Sequence, residues 1–179
     1  MRVISGIAGG RKLQTLGGDD ITRPTTDKVK EAVFSIIQFE LQDKHFLDLF
    51  SGSGQMAIEA VSRGAKSAVV VDNSRQAANI IKENIQKCGF ETLIKLHICD
   101  SFSYLSRSTE KFDIAYLDPP YHKNFIDKAL PLLVPLMNEN GIIICEIASD
   151  ETLPEICGDF SIKKTYKYSN ISVVVYKNG

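Results

Sequence analysis

A chain of 179 residues with 44% hydrophobic content suits one compact core and argues against a multi-domain assembly. Its formal charge of −1 excludes a uniformly basic nucleic-acid binder, and no stretch approaches the roughly 20 apolar residues of a membrane span. Cys88, Cys99, Cys145 and Cys157 lie far apart, without C-x-x-C pairs or metal-ligand spacing, so they read as small core residues in a reducing compartment.

With no apolar leader-like run at its start, the chain reads as a soluble, cytoplasmic protein. Its charge is unevenly spread. Residues 1–30 set Arg2, Arg11, Lys12, Arg23, Lys28 and Lys30 against Asp19, Asp20 and Asp27, and residues 160–179 hold four lysines and no acid. Basic ends around an acidic body suit an anionic partner gripped at the margins, although a plain solvated surface gives the same pattern.

Residues 2–16 read as two short extended runs, RVISGIA and KLQTL, joined by Gly9-Gly10 into a hairpin. A polar loop through Gly17, Gly18, Asp19 and Asp20 follows. A helix then starts near Thr22-Arg23-Pro24-Thr25-Thr26, because Val29, Val33, Ile36, Ile37 and Leu41 recur at a helical period. From Phe46 onward, apolar runs alternate with helical stretches: FLDLF, AVVVD, LIKLHICD, FDIAYLD and GIIICEI, with helices near 55–63, 74–87, 101–107 and 123–137. That order predicts an α/β fold, a parallel sheet with helices on both faces. SIKKTYKYS and ISVVVYK read as an antiparallel hairpin closing one edge. No linker divides the chain, so residues 1–179 form one domain, 1–44 being a hairpin and helix extension and 45–179 the core.

Asp48-Leu49-Phe50-Ser51-Gly52-Ser53-Gly54 falls where the first strand ends and a helix begins, the place where open α/β sheets bind ligands. Gly52 and Gly54 allow a sharp turn and close approach of backbone to ligand. Asp72 closes the second strand about 20 residues later, where a carboxylate accepts from ribose hydroxyls, and Asn73 stands beside it. Asp100 and Ser101 end the third strand on the same rim; Asp100 equally suits a helix cap. Adenosine is common to NAD and S-adenosylmethionine, so these residues fit both. Asp48 favours the methyl donor, whose ammonium needs acceptors, whereas a pyrophosphate at that helix start gains nothing from a carboxylate. A buried acid bonded to backbone amides would look the same.

FDIAYL delivers Asp118-Pro119-Pro120-Tyr121 to the carboxyl edge of the sheet. Two prolines cannot continue a central strand, so the chain leaves in a stiff turn. An exocyclic base amine is a poor nucleophile because its lone pair is delocalised into the ring. Acceptors for its N–H bonds let the nitrogen pyramidalise; Asp118 and the Pro119 carbonyl are candidates. Tyr121 would stack on the extruded base, a contact worth about 1–3 kcal/mol, which helps offset unstacking. An in-line displacement needs alignment above all and no metal. Alternatively, D-P-P-Y is an ordinary loop anchored by its tyrosine. His122, just beyond, reads as an exposed loop residue.

RVISGIAGGRKL, TRPTTDKVKEAVFSII, FLDLFSGSG and DPPY together resemble class I S-adenosylmethionine methyltransferases, and specifically the bacterial 16S rRNA guanine-N2 methyltransferase family of the RsmD type. The resemblance covers nearly the whole chain. It implies a Rossmann-like fold with a seven-stranded, mostly parallel sheet whose last strand is antiparallel, and methylation of a guanine N2 amine in 16S rRNA. The partner would be an assembled or assembling small subunit. By position it assigns Asp48, Phe50, Ser51, Gly52, Gly54, Asp72, Asn73, Asp100 and Ser101 to S-adenosylmethionine, and Asp118, Pro119, Pro120 and Tyr121 to catalysis. Arg23 and Thr25 match a segment near the target guanine. Relatives often carry Phe where this chain has Tyr121, so its hydroxyl is not implied. Three other readings remain open: a DNA amine methyltransferase, for which the chain has little room; a nicotinamide-dependent oxidoreductase, which leaves Asp118 to Tyr121 without a task; and a non-catalytic RNA-binding assembly factor.

Overall fold

The computed structural model describes residues 1–17 and 24–179, with the backbone alone at 24–26. Its strands form one eight-stranded sheet in the order β3-β2-β1-β4-β5-β8-β7-β6. Strands β1 (His45–Asp48), β2 (Ser67–Asp72), β3 (Ile94–Ile98), β4 (Phe112–Leu117) and β5 (Met137–Ala148) pair in parallel. The remaining strands, β6 (Ile156–Cys157), β7 (Phe160–Tyr168) and β8 (Ile171–Asn178), form an antiparallel end. The expected seven strands are present, and the two-residue β6 is an eighth at the edge. The chain order reverses between β1 and β4, which opens a crevice at the carboxyl ends of those two strands.

The central strands β1, β2 and β4 bury both faces, so their sequences run apolar, whereas the edge strand β3 leaves Lys95 and Ile98 exposed. Along β4, Ile114 and Tyr116 enter one core layer while Ala115 and Leu117 enter the other. The first layer includes Ala57 and Ile58 of α2 (Gln55–Ser62) and Ala77, Ile81 and Ile85 of α3 (Arg75–Cys88). The second holds Tyr104 and Leu105 of α4 (Ser101–Arg107) and Ala129, Leu130 and Leu133 of α5 (Phe125–Leu133). Helix α3 starts where the Ser74 hydroxyl accepts from Ala77 N at 3.2 Å and stops at Gly89, φ +73°. Helix α5 ends before the predicted 137: Pro131 and Pro135 remove backbone donors, a 3₁₀ turn spans Val134–Leu136, and Met137 already belongs to β5.

The N-terminal segment departs from the expected hairpin in extent. Arg2 and Lys12 form an antiparallel bridge, but residues 4, 5, 7 and 8 give their amide donors to α2 rather than to a partner strand. Glu59 accepts from Ile4 N at 2.8 Å and Ser5 N at 3.0 Å, while Ser62 Oγ accepts from Ala8 N at 3.0 Å. At Gly6, φ +83°, a Cβ would lie 1.8 Å from the Ser62 carbonyl oxygen, so only glycine allows this approach. Helix α1 (Pro24–Ile36) begins with a proline, whose fixed φ suits a first turn. Val3, Leu13, Val29 and Val33 join Phe46 and Ile58 in one cluster. Among the described residues, no helix is long and apolar enough to cross a membrane.

Candidate active site

At the carboxyl end of β1, Gly52 (φ +57°) and Gly54 (φ +74°) turn the chain into α2. Both adopt the left-handed region that glycine favours. A Cβ on Gly52 would meet nothing within 4 Å, so its backbone borders open space. Asp72 pins this loop: Oδ2 accepts from Gly52 N at 2.9 Å and Oδ1 from Ser74 N at 2.8 Å. Asp100 caps α4 by accepting from Ser103 N at 2.8 Å, and the Ser101 hydroxyl donates to Leu49 O at 2.8 Å.

A cavity of about 270 Å³ is lined by Phe50, Gly52, Asp72, Asn73, Asp100, Ser101, Phe102, Asp118, Pro120 and Phe125. Most residues assigned from sequence to a cofactor thus border the same space as the D-P-P-Y turn. Phe50 stacks on Phe125 with centroids 6.0 Å apart, and Phe102 meets Phe125 edge-on at 5.7 Å. Asp48 stands apart from this cavity. It lines a smaller recess beside it, together with Ser51, Tyr116, Asp118 and Glu146. There Asp48 is 1% exposed and, among the described residues, accepts from Ala57 N at 3.3 Å. Burial pushes its carboxyl up to about 7, with Asp72 adding to the push and the Ala57 amide opposing it.

Asp118 borders both spaces. It meets solvent through the open cleft, yet its carboxyl is pushed well up, first by the enclosing protein and then by Glu146 and Asp48. Solvent contact moderates the first cause; the two neighbouring acids act in the same direction regardless. Glu146, on β5, is buried and accepts from Tyr116 Oη at 2.7 Å and Tyr121 Oη at 2.9 Å. The Tyr121 ring is half-buried against the first core layer. Beyond it, Glu151 accepts from His122 N at 2.7 Å and Ala148 N at 2.9 Å, tying the turn to the end of β5. His122 is exposed, as expected.

Sequence reasoning missed Glu146, Phe102 and Phe125. Glu146 carried a usable signal, being an acid near the carboxyl end of a buried strand, the pattern that singled out Asp72, Asp100 and Asp118. Lys30 needs correction: it is no part of a basic surface. It is 2% exposed, donates to Arg2 O at 2.7 Å and lies 3.7 Å from Glu59. Helical spacing puts it on the inner side of α1 beside Val33. Arg23, with the rest of residues 18–23, lies outside the described residues, as does the side chain of Thr25. Among the described residues, no cluster of His, Cys, Asp and Glu has metal-binding geometry.

The family described as conserved hypothetical protein 95 matches residues 1–177. YlbH of Bacillus subtilis is 35% identical over 182 residues, spanning 99% of this chain and 98% of that one. Ribosomal RNA small subunit methyltransferase D of Haemophilus influenzae is 32% identical over 186 residues, with 99% and 94% covered. The solved structure of yhhF from Escherichia coli superposes with a TM-score of 0.87 at 25% identity, over 99% of this chain and 97% of that one. Full-length matches of this kind, on a sheet that brings the glycine loop and the D-P-P-Y turn to one cavity, mean that the chain belongs to the conserved hypothetical protein 95 family, that of the RsmD-type rRNA methyltransferases.

Proposed function

We propose that this chain transfers a methyl group from S-adenosylmethionine to the exocyclic N2 amine of a guanine in small-subunit ribosomal RNA. The observation that carries the reading is Asp118, which lines both the cavity bordered by the glycine loop and the recess that holds Asp48 and Glu146. The relatives named for methylation of small-subunit rRNA align over the full chain. We take the partner to be an assembled or assembling subunit in the cytoplasm, and residues 1–44 as an extension of a single domain.

The donor set fits S-adenosylmethionine. Phe50, Phe102 and Phe125 offer apolar walls for an adenine ring, with Asp100 on the adenine side; Asp72 keeps lone pairs for ribose hydroxyls. Asp48, Asp118 and Glu146 line a recess shared with Lys30, three acids against one ammonium, which suits a cationic end. When bound, S-adenosylmethionine supplies an electrophilic methyl on a sulfonium. Asp118 and the Pro119 carbonyl accept the two N–H bonds of the amine and free its lone pair. Once the amine is methylated, Asp118 would take one N–H proton from the nitrogen and pass it to solvent. Positive charge beside Asp118 would oppose the upward push from burial, Glu146 and Asp48 and favour its carboxylate form. Tyr121, held by Glu146, stacks on the base and fixes its plane.

The test combines calorimetry with nucleotide mapping. S-adenosylhomocysteine binds and NADH does not; selective NADH binding would end the methyltransferase reading. Small-subunit rRNA from cells lacking the chain has one unmodified guanine that purified protein restores with labelled donor. Asp118→Ala binds S-adenosylhomocysteine as the parent does but loses turnover by roughly a hundredfold to a thousandfold. Full turnover in that variant would remove Asp118 from the reaction.

A further inference from the structure

The antiparallel end of the sheet carries an aromatic and basic row that the active site does not use. Residues in register across antiparallel strands point to one face. Glu146 pairs with Val173 and Val173 with Tyr166; Ala148 pairs with Ile171 and Ile171 with Tyr168; Ile144 pairs with Val175 and Val175 with Lys164. Tyr166 and Tyr168 therefore share the face of Glu146, and both pack half-buried against the same apolar layer as Tyr121. At roughly 5 Å per strand, Tyr166 stands about 10 Å from Glu146 along that row. Because β7 runs parallel to β5, Tyr168 ends at the same carboxyl rim as the D-P-P-Y turn. Lys164 is exposed, with its ammonium 4.8 Å above the Tyr166 ring.

Charge selects this side of the turn. Beyond Tyr121 in the other direction lies a cavity of about 330 Å³ lined by Asp127, Asp150 and Glu151, which repels phosphate. Of the four lysines in residues 160–179, a stretch with no acid, Lys164 stands on this row, whereas Lys167 alternates to the other face and Lys177 pairs with Glu40 at 3.2 Å. Half-buried aromatic rings beside cations are the elements of single-strand recognition, where bases stack and phosphates pair.

We propose that single-stranded RNA flanking the modified nucleotide runs from Tyr121 along the carboxyl rim past β5 and β8, whose inner positions Ile144, Val173 and Val175 are buried in the core layer that holds α1, and down the outer edge of β7, with a neighbouring base stacked on Tyr168 and a further phosphate held by Lys164. This rests on the RNA-methylation reading and adds the path of the substrate. The probe is an oligouridine, which has no guanine and so reads the surface independently of methyl transfer. Tyr168→Ala weakens its binding by about tenfold, the scale of one base–aromatic stack, and Tyr168→Phe binds as the parent does. Lys164→Ala lowers the slope of log affinity against log salt by about 0.7. Lys66→Ala, at the opposite edge of the sheet, changes neither. Crosslinks from 4-thiouridine in the same RNA to the parent protein fall on β7, which decides the matter even where a variant folds poorly. Parent-like binding by folded Tyr168→Ala, an unchanged slope in Lys164→Ala, crosslinks confined to α3, or equal affinity for an RNA duplex would overturn the proposal. Normal subunit methylation by indifferent β7 variants would remove this path alone. Oligouridine binding without any methylation would remove the activity alone.

Discussion

Asp48 shows how a single buried carboxylate shapes behaviour with pH. The folded protein holds its proton up to about pH 7, against an ordinary 3.8, so between those values the unfolded chain has shed a proton that the folded one keeps. Stability owed to this group is present below the unfolded value and is lost as pH rises through the window. Asp48→Asn removes that slope, and its unfolding midpoint gains on the parent's between about pH 4 and pH 7; parallel curves would contradict the burial argument. A cationic donor favours the carboxylate form, so calorimetric affinity for S-adenosylmethionine rises as pH passes 7, and more weakly in the Asn variant. At Tyr121 the hydroxyl bonds Glu146, whereas the stacking role needs only the ring. Tyr121→Phe keeps most turnover and Tyr121→Ala loses it; equal losses would mean that the bond to Glu146, not the ring, is what matters. The D-P-P-Y turn was legible because adjacent prolines after a strand allow few structures. Glu146 was legible only as an acid near the end of a buried strand; its role was not, since the hydroxyls that satisfy it come from residues 25 and 30 positions away.

Among the elements, α2 does more than cover the sheet. Its Glu59, fully buried, accepts from two N-terminal amides and from Arg63 Nε at 2.7 Å, and faces Lys30. Removing one side of such a buried set leaves a charge and donors without partners, at a cost of about 3–5 kcal/mol. Glu59→Ala lowers the urea midpoint accordingly and loosens residues 1–17, seen as faster amide exchange at Ile4 and Ser5; an unchanged midpoint would show that water replaces the carboxylate there. This arrangement explains which element predictions fell short. Periodicity identified α2, α3, α4 and the central strands nearly to the residue, because both faces of those strands bury apolar side chains. The N-terminal hairpin was cut short because its amides found a carboxylate in the middle of an apolar helix, a partner that local pattern does not reveal.

For the whole molecule, the parallel half of the sheet brings Asp48, Asp72, Asp100 and Asp118 to one rim, while residues 160–179 of the antiparallel half hold four lysines and no acid. The near-zero total charge hides this division. Exposed Asp150 sits on the acidic side, so Asp150→Asn speeds association with rRNA at low salt, an advantage that fades once the Debye length falls below about 10 Å. Stopped-flow rates across ionic strength measure it, and identical rates at low salt would show that the rim exerts no steering.

The Glu151 carboxylate joins the loop after Tyr121 to the last residue of β5. Two jaws joined this way part only by giving up a bond to the shared carboxylate, worth about 1.5–3 kcal/mol. A base wedging the tyrosine outward must drag on the strand that anchors its hydroxyl from beneath, so release of the product lets both spring back in step.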